Sequence, residues 1–141
     1  MRARTLTAVQ IERVDRTQAR PVERPEWFPG GEVLTQALSD PEDVAGVEIL
    51  AVFFSAGART RPHTHPTDQI LQVVEGEGIV ATETERRIIR AGDFVIVPIG
   101  IWHWHGATPD SAMCHLSIKP PGQTDWTAPW KDWKTYAEGA R

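Results

Sequence analysis

The spacing of turn signals along this chain restricts its fold more than any other feature. Apolar, β-branched and aromatic runs are short: Val47–Phe54, Ile70–Val74, Ile79–Thr82, Arg86–Ile89, Phe94–Val97, Trp102–His105 and Met113–Ile118. Between them lie Gly57, Glu75-Gly76-Glu77-Gly78, Thr82-Glu83-Thr84-Glu85, Ala91-Gly92-Asp93, Pro98-Ile99-Gly100 and Thr108-Pro109-Asp110, each a turn-forming cluster. Runs of this length read as strands, since a helix needs longer stretches with a 3.6-residue period. Many short strands with no internal helical segment predict an all-β sandwich or barrel. A further strand is predicted around Val9–Val14, and Trp27-Phe28 before Pro29-Gly30-Gly31 reads as an aromatic anchor followed by a turn.

The 141 residues, 40% hydrophobic and 24% charged, suit one domain with a core that needs no disulfide. Cys114 is the sole cysteine, which excludes an internal disulfide and any multi-cysteine zinc site; within its strand it reads as a small buried hydrophobe. A net charge of −4 argues against nucleic acid, which requires a basic face to displace counterions. No apolar run approaches the ~20 residues that span a bilayer, and no apolar stretch follows the basic Met1-Arg2-Ala3-Arg4. The expectation is a soluble, cytoplasmic protein.

Chemistry concentrates in the histidines. His63-Thr64-His65 and Trp102-His103-Trp104-His105 hold four of the five. In extended backbone, residues i and i+2 point the same way, so His63 and His65 project together from backbone positions about 6.5 Å apart. Gln69 has the same parity and opens the next strand after Pro66-Thr67-Asp68. His103 comes from a strand distant in sequence, which a closed barrel brings across the lumen. Any one of these histidines alone would read as a satisfied polar residue; their grouping makes them candidate ligands of one divalent ion.

Two spaced motifs carry a resemblance. Gly57, five residues, His63, one, His65, three, Gln69, six, Gly76 resembles the first motif of the cupin superfamily, with glutamine at the family's usual glutamate. Gly92, five residues, Pro98, one, Gly100, two, His103 resembles the second, with Ala107 where the family often has asparagine. The resemblance spans roughly Trp27 to Lys119 and implies a single-domain double-stranded β-helix, or jelly-roll, barrel. It divides the chain into an N-terminal arm over 1–24, a barrel over 25–120 and a short Trp-rich C-terminal tail over 121–141.

A narrower resemblance follows from His63-Thr64-His65-Pro66 with Gln69, from His103-Trp104-His105-Gly106-Ala107-Thr108-Pro109, and from Ala112-Met113-Cys114-His115. These segments are similar to the small bacterial cupins that include the manganese-dependent hydroxynitrile lyases. That similarity implies His63, His65, Gln69 and His103 as metal ligands, manganese as the ion, and His115 as a base beside it. The donor set itself also suits iron, cobalt, nickel or zinc. Three histidines with a glutamate would leave a dication one net charge; with Gln69 the full charge remains. The result is a stronger Lewis acid that resists oxidation. Three functions therefore stay in view: a Lewis-acid lyase or isomerase, an iron-dependent dioxygenase, and a non-catalytic ligand-binding cupin. The first is favoured, so the chain is read as leaning towards an enzyme.

Several residues stay outside that scheme. Arg59 and Arg61 flank the site, where they either sit as solvated charges or attract a carboxylate. Lys119 shares strand parity with His115 and would add positive charge. His105 reads as a residue that orients a ligand. In the tail, Trp126, Trp130 and Trp133 fall at i, i+4 and i+7, one stripe of a predicted helix packed on the barrel or on a partner. A bare sheet edge and this stripe together predict a homodimer.

Overall fold

The computed structural model describes residues 8–40, 46–131 and 135–141. Among these residues eight strands form: β1 Arg20–Pro21, β2 Val33–Ala37, β3 Glu48–Phe54, β4 Gln69–Thr82, β5 Arg86–Arg90, β6 Phe94–Val97, β7 His103–Ala107 and β8 Met113–Lys119. All pairings are antiparallel, in the order β1-β2-β3-β8-β4-β5, with β6 and β7 also paired to β4.

The long strand β4 closes the barrel. Its first half pairs with β6 and β8, and its second half pairs with β5 and β7. A register shift between Val73 and Glu75, where a bulge bends the strand, lies within the pairing to β8, just before β5 and β7 take over at Glu77 and Gly78. Gly76 follows at φ +79, a conformation that disfavours a side chain, and a Cβ there would overlap the Ala112 carbonyl. Glu75–Gly78, predicted as a turn, is therefore the bent interior of one strand. Glycine marks both features in sequence, and only the partners on either side tell them apart.

Alternate residues of β3 face two cores. Val52 and Phe54 meet Val73, Val80, Ile89, Ala107 and Met113 inside the barrel. Ala51 and Phe53 pack with Cys114 on the outer side, against Leu34, Leu38 and Leu116. Burial raises the Cys114 thiol pKa to about 11, with Glu75 adding to the rise, so the thiol is inert at neutral pH.

Two further sequence expectations are corrected. Residues 8–14 form no strand, and Val9 and Ile11 are exposed; among the described residues the first pairing is β1 on β2, a strand that the sequence did not announce. The Trp126–Trp130 stretch is a turn and extended chain rather than a helix, its shape set by contacts with the barrel. Trp133 lies outside the described residues. Further on, Tyr136, Ala137 and Ala140 cover Ile79, Ala81 and Trp104 on the barrel's outer wall. Among the described residues, no helix is long and apolar enough to cross a membrane.

Candidate metal centre

His63 and His65 lie in the extended link between β3 and β4, Gln69 is the first residue of β4, His103 and His105 are on β7, and His115 is on β8. The link is held to β7 by a two-way backbone bridge: the His63 N–H donates to the His103 carbonyl (2.9 Å) and the His103 N–H to the His63 carbonyl (3.1 Å). This sets the two rings side by side, with centroids 4.3 Å apart, and His65 lies 4.8 Å from His63 and 5.2 Å from His103. All five histidines and Gln69 are buried.

The ring nitrogens are assigned by their partners. His63 and His103 each place Nδ1 2.8 Å from the carbonyl two residues earlier, Arg61 and Ile101 respectively. A carbonyl only accepts, so Nδ1 carries the proton and Nε2 holds the lone pair of the neutral ring. His65 Nδ1 lies 3.0 Å from Thr124 Oγ1, and its Nε2 is buried without a hydrogen-bond partner. The Gln69 amide donates from Nε2 to Ser117 Oγ at 2.8 Å, which turns Oε1 towards His103 Nε2 at 3.2 Å.

Burial keeps these rings neutral. It lowers His65, His103 and His115 to about 4; at His65 neighbouring His103 and Lys119 add to the effect, while at His103 the Ile101 carbonyl opposes it. His63 and His105 fall well below the usual histidine range, again chiefly through burial, with His103 next for His63 and His115 next for His105. Neutral His103 then points its Nε2 lone pair at the Gln69 carbonyl oxygen. Two acceptors face one another with no proton between them, an arrangement that a cation would satisfy.

Three buried histidines, His63, His103 and His105, bring ring nitrogens within 4.8 Å of one another and could hold a metal ion. His65 is not in that set of three, but it and Gln69 line the same space. His105 was expected only to orient a ligand. Its Nδ1 instead lies 2.9 Å from Nε2 of His115, which is outside the expected ligand set, and its Nε2 is buried without a partner beside the cluster. His115 Nδ1 is likewise buried and unpartnered. Phe54 packs against both rings.

Sequence reasoning missed two side chains here. Ser117 shares inward parity with His115 on β8, which could have flagged it; Thr124 lies in the tail, where no pattern pointed to the site. The flanking charges are also engaged. Lys119 bonds Glu48 at 2.7 Å, which offsets its charge. Arg59 lies over the Tyr136 ring at 4.0 Å and Arg61 over Trp130 at 4.7 Å, so tail aromatics cover both guanidiniums.

Residues 51–119 match the family described as Cupin domain. A stretch of 115 residues is 42% identical to the (R)-mandelonitrile lyase of Granulicella tundricola, covering 79% of this chain and 84% of that protein. The chain belongs to the cupin family. A solved cupin-like protein from Thermotoga maritima superposes with a TM-score of 0.74 at 32% identity, covering 82% of this cupin and 89% of that chain. A shorter match, 31% identical over 58 residues, is to the acireductone dioxygenase of Parasynechococcus marenigrum; it covers 38% of this cupin and 31% of that protein.

Proposed function

We propose that His63, His65, Gln69 and His103 hold one divalent metal ion, manganese in the first instance, and that this cupin is a lyase of small molecules with His115 as its base. The observation that carries the ligand set is the His103 Nε2 and Gln69 Oε1 pair, two acceptors 3.2 Å apart. The opposite amide orientation, with NH2 donating to His103, would need no cation, so metal uptake discriminates between the two. When bound, the ion supplies Lewis acidity that polarises a substrate oxygen or nitrile.

The chain's own residues supply the proton chemistry. His105 Nδ1 and His115 Nε2 share one proton across 2.9 Å, so their tautomers are coupled. A proton accepted at a bare nitrogen of one ring can be matched by transfer to the other. For a cyanohydrin, the pair takes the hydroxyl proton as the carbon–carbon bond breaks. Cyanide leaves with the bonding electrons and regains that proton as hydrogen cyanide, leaving a carbonyl product.

The similarity to a mandelonitrile lyase supports this substrate class. Neutral ligands leave the ion its full charge, which handicaps redox cycling and weighs against a dioxygenase. The test is mandelonitrile cleavage by manganese-loaded protein. His115→Ala should retain metal and lose about a hundredfold or more in turnover. Unchanged turnover in metallated His115→Ala would remove the base role, and oxygen consumption by iron-loaded protein without cyanohydrin cleavage would favour the dioxygenase. We further propose a homodimer through the face of β6 and the turn after it, where Phe94, Ile96 and Ile99 are 64%, 70% and 60% exposed.

A further inference from the structure

Of the three proposed histidine ligands, two are oriented locally and one is not. His63 and His103 each bond a carbonyl two residues earlier, within their own motif. His65 instead bonds Thr124, 59 residues downstream, beyond the last barrel strand.

The segment 122–130 that carries Thr124 is fixed along its length. Gly122 lies so close to Pro66 that a Cβ would come within 2.9 Å of the proline ring. Asp125 forms an antiparallel bridge with Thr64, with N–O distances of 3.2 and 2.9 Å. The Trp126 ring packs on His63 at 4.5 Å and stacks on Trp27 at 4.8 Å with planes 8° apart. Beyond it, Arg61 donates to the Ala128 carbonyl at 3.4 Å and Trp102 Nε1 to the Pro129 carbonyl at 2.9 Å. Thr124 therefore has its hydroxyl held between anchored neighbours.

We propose that Thr124 is a positioning residue of the metal centre: its hydroxyl accepts the Nδ1 proton of His65 and so directs the Nε2 lone pair into the site. The inference rests on His65 being a ligand. A neutral imidazole has one donor and one acceptor, so giving Nδ1–H to Thr124 fixes the tautomer that can bind a metal. His65 Nε2, buried and unpartnered, is the atom this leaves for the ion. The tail segment is then a wall of the centre rather than a cover over a finished one.

Thr124→Val keeps the side chain's shape and removes the acceptor; Thr124→Ser keeps the acceptor. Long-range proton–nitrogen NMR on metal-free protein reads the His65 tautomer, and chelator competition reads manganese(II) and zinc(II) affinity. Wild type and Thr124→Ser should show His65 protonated at Nδ1. Thr124→Val should shift the proton towards Nε2 and lower metal affinity about 10- to 100-fold. If Thr124→Val loses its dispersed NMR spectrum, Thr124→Ala gives the same reading with less crowding. Metal bound equally well by wild type and Thr124→Val, with an unchanged His65 tautomer, would overturn the role of Thr124 alone. A wild type that takes up no metal would overturn the ligand reading, and this inference with it.

Discussion

Acid should unfold the metal-free protein well above the pH at which carboxylates titrate. Burial holds His103 and His115 at about 4 in the folded chain, whereas an unfolded histidine titrates near ~6.5. Their folded pKa is depressed, so the native state excludes protons that the unfolded chain accepts. Stability is complete above about pH 6.5 and falls as pH drops towards 4. At pH 5 each such histidine favours the unfolded chain by about 2 kcal/mol, and the two together by about 4 kcal/mol. That is a large share of the roughly 5–15 kcal/mol that holds a domain folded. His63 and His105, lowered further still, act in the same direction. Urea titrations of chelator-treated protein at pH 7.5, 6.5 and 5 measure the effect. With a urea slope of about 2 kcal/mol per molar, the midpoint should fall by about 2 M or more. His115→Leu should reduce that pH-dependent drop by about 2 kcal/mol, whatever it does to stability at pH 7.5. A midpoint that moves less than about 0.5 M between pH 7.5 and 5 would refute the neutral, buried histidine cluster.

Gln69→Glu adds an anionic donor beside the cation, an attraction of several kcal/mol before the cost of burial. Manganese(II) affinity by chelator competition should rise about tenfold or more, and unchanged affinity would count against Gln69 as a ligand. Gly106→Ala would drive its new methyl into the Arg59 backbone on the adjoining link. Urea unfolding should show a loss of about 1–3 kcal/mol. Ile96→Lys on β6 should shift the light-scattering mass of the protein from dimer to monomer; a wild-type monomer at tens of micromolar would refute the interface.

The barrel was legible because its strands are cut short by turn residues, and β3, β5, β6 and β8 appear within a residue or so of where the runs of β-branched residues fall. What failed depended on partners that a local pattern does not name. Glu75–Gly78 carries turn residues, yet neighbours on both sides hold it as strand. Val33–Ala37 has weak patterning and becomes β2 because β3 offers it an edge. The Trp126 and Trp130 spacing suggested a helix, but stacking on Trp27 and a cation contact with Arg61 draw those rings into separate places. The grouping of His63, His65, Gln69 and His103 was readable because parity and spacing govern which way short extended segments point. Ser117 and Thr124, which orient the candidate donors, were not, since a single hydroxyl carries no periodic signal.

Metal content is the most direct test of the central claim. Protein expressed in manganese-supplemented medium and purified without chelators should carry about one equivalent of divalent metal per chain by elemental analysis, as expected for a site of four protein donors. His63→Ala, His65→Ala and His103→Ala, each confirmed folded, should each lose most of it. Stoichiometric metal in all three variants, or none in the wild type, would contradict the site.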